Sequence, residues 1–387
     1  MTKCPRCFTA LHADHYAWSV SPHATGQRHH DPIGSSYLGA DVDCGPIYDA
    51  KRPKGYRGAM PSAVDASAAL KAPVVEICPV CHFELPDGWR AGRAVCIAMA
   101  GAPGTGKSTY LAVLVKQLQL LCESLGVSME PSTQASADAY THHYETPLYV
   151  QRGLIAATPT MQHHCPPQQQ PLIFSIGFWQ GVPRFVVIRD AAGEDLESGE
   201  MTAPHFSYIG NADAVFFMFD PLRIRGIRDQ LSDLLPAQSY SGGDPRTVLR
   251  NVMLAIGARQ PKLAVVLTKF DALRALSDVE GSDWSQVMSN AGAAYLRDTS
   301  ASRRYDDGDG TLLHEEARSL LLRLHGASIV SAVENPAAGT RLVHRYFVVS
   351  ALGQPPSGSR LNSRGIAPFR CVDPLRWVTA PLDVLEG

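Results

Sequence analysis

Gly101-Ala-Pro-Gly-Thr-Gly106-Lys107-Ser108 is the stretch whose reading decides the fold. It matches the pattern G-x-x-x-x-G-K-[ST] in full. Just before it, Ala94-Val-Cys-Ile-Ala-Met-Ala100 is an apolar run of buried-strand length; after it, Lys107 to about Leu125 has helical periodicity. In a strand–turn–helix setting this pattern makes a phosphate cradle. Gly101, Gly104 and Gly106 let backbone N–H groups approach an anion without Cβ clashes, and the helix N-terminus adds partial positive charge. Lys107 then faces the β- and γ-phosphates, the Ser108 hydroxyl is a ligand for Mg²⁺, and Thr105 and Thr109 complete the cradle. A chance glycine-rich turn is the competing reading, and the flanking strand and helix argue against it. The loop alone does not choose between ATP and GTP.

Downstream, strand-like and helical text alternate. Residues 171–178, 184–190, 212–219, 263–268 and 346–350 read as strands. Residues 135–150, 222–235, 246–259, 284–298 and 311–325 read as helices. Such alternation predicts an α/β fold with a mostly parallel sheet flanked by helices, the P-loop NTPase arrangement. The short Gly/Pro-containing link at 179–183 predicts an antiparallel hairpin at the sheet edge.

Three further motifs lie downstream of the loop. Thr268-Lys269-Phe270-Asp271 ends an apolar strand and resembles [NT]-K-x-D. The Asp271 carboxylate can accept from guanine N1–H and N2–H₂ together, whereas adenine offers no such donor pair. Two charge-assisted bonds of about 1.5–3 kcal/mol each favour guanine about a hundredfold or more. The Lys269 stem would lie along the base. Ser350-Ala351-Leu352 follows the last strand and would offer the Ala351 N–H to guanine O6. Asp190-Ala-Ala-Gly193 matches D-x-x-G at the end of Phe185-Val-Val-Ile-Arg-Asp190; Asp190 would hold Mg²⁺ through water, and the Gly193 N–H would meet the γ-phosphate. Glu194 stands where many GTPases place a water-orienting Gln, so hydrolysis is expected to be slow or aided by a partner. Thr158 and Thr160 are the candidates for the remaining Mg²⁺ and γ-phosphate ligand, with Thr160 preferred. Lys107, Glu194 and Thr160 are thus the candidate catalytic residues. His163, His164 and Cys165 read as a mobile polar loop rather than a metal site.

Taken together, residues 93–354 resemble the TRAFAC class of P-loop GTPases, and more closely the bacterial double-GTPase-type proteins with an N-terminal zinc ribbon. Val215-Phe-Phe-Met-Phe-Asp220-Pro221 and Val372-Asp-Pro-Leu-Arg-Trp377 carry the closer resemblance. It implies GTP/GDP and Mg²⁺ as ligands, and protein partners within a multi-component bacterial system, defence-related in that family. Two readings stay beside it: a P-loop ATPase, and a zinc-ribbon interaction module on a non-hydrolysing GTPase-fold scaffold.

Residues 1–92 read as a separate zinc-ribbon-like element with a loop-rich insertion at 8–77, ahead of a domain over 93–387 whose C-terminal extension starts near 355. Cys4-Pro-Arg-Cys7 and Cys78-Pro-Val-Cys81 are knuckle-like pairs whose four thiolates make a closed, structural Zn²⁺ site. Cys44, His12 or His82 replacing one ligand is the alternative. The five histidines between 12 and 30 share no recurring spacing and read as loop. With 35 Lys and Arg against 37 Asp and Glu, the formal charge is −2, which gives no electrostatic footprint for nucleic acid. No apolar stretch approaches the roughly 20 residues of a membrane span, and no apolar run follows a basic start, so a cytoplasmic chain without a secretory leader is expected.

Overall fold

The apolar runs become the strands of a mixed α/β structure. In the computed structural model the described residues are all those outside 1, 25–27, 161–169, 199, 225–243, 275–276, 278–282, 300–301, 303, 337–340, 357, 359, 383–384 and 386–387. In chain order the strands are β1 (His15–Val20), β2 (His29–His30), β3 (Asp43–Cys44), β4 (Ile47–Lys51), β5 (Val74–Ile77), β6 (Arg93–Gly101), β7 (Glu130–Pro131), β8 (Leu172–Trp179), β9 (Val182–Asp190), β10 (Ala214–Phe219), β11 (Lys262–Leu267) and β12 (His344–Val348). The main sheet has seven strands in the order β12-β11-β10-β6-β9-β8-β7. Neighbours from β12 through β9 pair in parallel, while β8 runs antiparallel to β9.

Parallel pairing places the strands' carboxyl ends side by side. Gly101 sits opposite Met218, Leu267 opposite both Phe219 and Val348, and Asp190 opposite Met99. The motifs that begin at Gly101, Asp190, Thr268 and Ser350 therefore leave the sheet along one edge, the usual ligand side of an open α/β sheet. The central strands are buried on both faces, with Ile97–Ala100, Val215–Phe219 and Leu263–Leu267 fully inside, which is why they read as continuous apolar runs.

Three expectations need correction. The hairpin β8–β9 is not at the sheet edge: the two-residue β7 pairs outside β8. Residues 8–77 are not simply loop-rich. They contain the antiparallel sheet β4-β1-β5 and the helices Pro32–Leu38 and Ala63–Leu70. These strands are short and pair across long separations, so no local periodicity betrays them. Trp18, Ala50 and Ala66 form their own small core. The expected helix at 284–298 is two pieces, Asp283–Met288 and a 3₁₀ turn at Ala294–Leu296, parted where Gly292 N–H donates to the Asn290 side chain. The helix read at 135–150 is there, α-helical over Gln134–Tyr140 and continued as a π-helix over Thr141–Val150, which contains Pro147 and so lacks one ladder donor. Most of the helix expected at 222–235, and His163, His164 and Cys165, lie outside the described residues. No helix among the described residues is long and apolar enough to cross a membrane.

Candidate functional site

The phosphate loop leaves β6 at Gly101, whose φ is +151°; a Cβ there would come within 2.4 Å of the Met218 carbonyl oxygen. Gly106 caps the helix Lys107–Ser124 with φ +87°. Lys107 is buried, and its Nζ donates to the carbonyls of Gly101 (2.7 Å) and Ala102 (3.2 Å). Burial pulls the Lys107 pKa down, while Asp190 and Glu194 push it back up. Thr105 is buried and donates to the Ala102 carbonyl at 2.9 Å.

Beside the loop, three oxygens converge. Thr158 Oγ1 donates to Asp190 Oδ2 at 3.0 Å, and Ser108 Oγ lies 3.1 Å from Thr158 Oγ1 and 3.4 Å from Asp190 Oδ2. The Asp190 carboxyl is raised by burial and lowered by Lys107 and the two hydroxyls. Its other oxygen, Oδ1, is buried with no hydrogen-bond partner among the described residues. A hard oxygen set with an unsatisfied carboxylate oxygen fits Mg²⁺. The expected Thr160 is half-buried and bonds neither Ser108 nor Asp190. The two threonines are equivalent in local sequence. In the fold it is Thr158 whose hydroxyl meets Ser108 and Asp190.

The Asp190–Gly193 turn rests on the loop. A Cβ on Gly193 would lie 2.3 Å from the Pro103 nitrogen. Glu194 follows, half-buried in the helix Gly193–Ser198.

At the far end, Lys269 takes φ +53° and pairs through Nζ with the buried Asp220 at 2.8 Å. The Thr268 hydroxyl donates to the Phe219 carbonyl at 3.2 Å. Ser350 Oγ donates to Asp271 Oδ1 at 2.5 Å and accepts from Gly353 N–H at 2.9 Å. Burial raises the Asp271 carboxyl and the Ser350 bond lowers it. One cavity of about 540 Å³ is lined by Gly104, Thr105, Gly106 and Thr109 at one end and by Thr268, Lys269, Asp271, Ala351 and Leu352 at the other; Leu154, Ile155, Pro355 and Pro356 add apolar walls. The sequence missed the Ser350–Asp271 bond and the Asp220–Lys269 pair, because both join residues far apart in the chain.

The four cysteines also meet. Cys4, Cys7, Cys78 and Cys81 are buried, with all four sulfurs within 4.8 Å of one another. Cys4–Cys81 and Cys7–Cys78 sulfurs are 3.5 and 3.8 Å apart, against about 3.8 Å for a tetrahedral Zn–S length of about 2.3 Å. The two knuckles repeat one backbone geometry. Phe8 and His82 both take φ +55°, and their N–H groups donate to the Cys4 and Cys78 carbonyls. Burial raises the Cys4 and Cys81 thiols, while hydrogen bonds from Cys4, Cys78 and Cys81 lower Cys7. His82 stands outside this group, its Nδ1 meeting the Asp31 carboxylate at 2.9 Å. Cys44 and His12 also stand outside the sulfur group.

The cluster touches the site through Arg189, directly before Asp190. Its guanidinium donates to the Arg6 carbonyl inside the first knuckle at 2.5 Å and stacks 3.9 Å from the Tyr208 ring. Asn211 donates to the Cys7 carbonyl at 2.9 Å.

Comparison with known proteins adds context. The model for the ESX-1 scaffolding and assembly protein SaeC N-terminal domain matches residues 14–76, the stretch between the knuckles. Over 385 residues the chain is 64% identical to the putative ESX-1 scaffolding and assembly protein SaeC of Mycolicibacterium smegmatis (strain ATCC 700084 / mc(2)155), covering all of both chains. Among solved structures, the S. cerevisiae Ski7 GTPase-like domain bound to GTP is 10% identical, with a TM-score of 0.31 over 75% of this chain and 50% of that one. Bacterial selenocysteine-specific elongation factor EF-Sec is 11% identical, with a TM-score of 0.24 over 65% of this chain and 25% of that one. The chain thus spans half or less of those two structures, and similarity this loose says nothing of ligand or activity. A whole-length match at 64% identity does show kinship: the chain belongs to the family of the ESX-1 scaffolding and assembly protein SaeC.

Proposed function

We propose that the chain is a GTP-dependent switch built into a scaffolding protein, binding GTP with Mg²⁺ in the cavity at the strand ends and hydrolysing it slowly to GDP and phosphate. The observation that carries this reading is the shared cavity: the phosphate-loop residues Gly104, Thr105, Gly106 and Thr109 and the candidate base-reading Asp271 line one space. Lys107 would neutralise the β- and γ-phosphates. Ser108, Thr158 and Asp190 would hold Mg²⁺, which supplies charge neutralisation between the phosphates. Asp271 would read the guanine N1–H and N2–H₂ edge, with the Ala351 N–H on O6 and Lys269 along the base. Gly193 would sense the γ-phosphate and Glu194 would orient water. We divide the chain near residue 92, with the cysteine cluster a structural zinc site ahead of the nucleotide domain.

The relative is named as a scaffolding and assembly protein of ESX-1, and we carry the scaffold role to this chain, with nucleotide state deciding which partner surface is presented. Glu194 favours a second reading, a scaffold that holds GTP without turnover, since an acidic group beside the γ-phosphate opposes charge build-up there. Identification of the nucleotide that co-purifies, followed by fluorescent GDP and ATP titrations, tests the proposal. Guanine nucleotide is expected in the wild type and none in Lys107→Ala. Binding of ATP as tight as GTP overturns it.

A further inference from the structure

The sequence left the charge of the transition state to an outside partner. The fold brings an arginine of its own to the phosphate loop. After β10 the chain makes the turn Pro221–Arg223, capped by Asp220, whose side chain accepts from Leu222 N–H at 3.0 Å. Arg223 N–H closes the turn on the Asp220 carbonyl at 3.1 Å. Asp220 is itself fixed by Lys269, so the arginine's backbone is tied to the base-reading segment. From this anchor the Arg223 guanidinium donates through Nη2 to the carbonyl of Pro103.

Pro103 marks a particular place. It is the residue on which Gly193 rests, so the phosphate loop, the D-x-x-G turn and Arg223 all meet there. In a phosphate loop followed by D-x-x-G, that meeting point is where the γ-phosphoryl sits. Arg223 also lies close enough to Lys107 for its charge to depress the lysine's proton affinity, behind the larger effect of burial.

We propose that Arg223 is a built-in catalytic arginine that leaves the Pro103 carbonyl for the γ-phosphoryl oxygens as GTP is hydrolysed. This deepens the GTPase reading and rests on it. In the reaction, a water oxygen forms a bond to the γ-phosphorus. The bond to the β–γ bridging oxygen breaks, and its electron pair stays on GDP. The water's protons pass to the phosphate product and solvent. Negative charge grows on the bridging and γ oxygens during this exchange, and a planar guanidinium with several donors meets two of them at once. It also offsets Glu194, whose carboxylate works against that charge.

The test compares wild type, Arg223→Ala and Arg223→Lys in the full-length protein without partners. Fluorescent GDP affinity, single-turnover GTP hydrolysis and capture of GDP with fluoroaluminate, a stand-in for the phosphoryl in transfer, are measured. Arg223→Ala is expected to slow hydrolysis at least about a hundredfold and to lose fluoroaluminate capture. GDP affinity stays within about threefold, which also reports that the variant is folded. Arg223→Lys retains charge but not the fork, and is expected to recover only part of the rate. Three results overturn the inference: wild-type hydrolysis by Arg223→Ala; loss of GDP affinity in proportion to rate, the mark of an arginine that only braces the loop; or a wild type that binds GTP and never hydrolyses it alone. Absence of guanine nucleotide binding by the wild type is a different failure, because it removes the GTPase reading itself.

Discussion

Ser350→Ala tests the proposed reading of guanine by Asp271. The buried Ser350 donates its hydroxyl to Asp271 at 2.5 Å, and the same oxygen accepts from Gly353 N–H. Removing it leaves Asp271 without a charge-assisted bond of about 1.5–3 kcal/mol and unties the loop that carries Ala351. GTP and GDP affinity should fall about tenfold to a hundredfold. ATP affinity should barely move, because adenine gives Asp271 no donor pair to hold. The pH profile carries a second signature. Burial raises the Asp271 carboxyl and Ser350 opposes that rise. Guanine recognition needs the ionised form, so affinity is present above the Asp271 pKa and is lost as pH falls through it. Without Ser350 the loss begins at higher pH. Fluorescent GDP titrations from acid to neutral pH, with the variant divided by wild type to cancel ionisation of the nucleotide, read both effects. Equal losses for GDP and ATP, or unchanged profiles, would refute the reasoning.

Other parts of the structure give separate expectations. Thr158→Ala should weaken the Mg²⁺ dependence of GTP binding about tenfold and Thr160→Ala less than about twofold, measured by Mg²⁺ titration, since of the two threonines it is Thr158 that bonds Asp190. Elemental analysis should find one zinc per chain and none in Cys81→Ser, whose denaturant midpoint should drop sharply because metal binding is also folding energy. Arg370 is fully buried, donating to Asp373 at 2.6 Å and to the Ala294 and Arg297 carbonyls. Arg370→Met should cost about 3–5 kcal/mol in equilibrium unfolding by taking the ion-pair partner from the buried Asp373, and Arg370→Met with Asp373→Leu should cost less than the single change.

What could be read from sequence follows from how local each signal is. The phosphate loop, the β6 run before it and the helix after it are contiguous, so their pattern survives without tertiary knowledge. Thr268 to Asp271 was legible because it ends a fully apolar strand. The cysteine pairs were legible because Cys-x-x-Cys declares itself, even across the long gap that the structure closes. The β4-β1-β5 sheet was not, since its strands pair at long range and bury only a few side chains. Thr158 and Thr160 flank one proline, and only the folded path separates them. Arg223 had no motif at all; its meaning comes from the Pro103 carbonyl, which lies far back in the chain. Nor did any residue point to the SaeC family, which came from comparison with a whole-length relative and a family model.

The central claim is that one cavity holds a guanosine phosphate with Asp271 at its base. Asp271→Asn tests it most directly, by replacing an acceptor pair with one acceptor and one donor. Competition titrations of wild type and variant with GTP, ATP and xanthosine triphosphate should show wild type choosing GTP. The variant should lose GTP and gain xanthosine triphosphate, whose C2 carbonyl accepts where guanine donates. An unchanged order of preference would contradict the assignment of Asp271 and, with it, the guanine reading of the site.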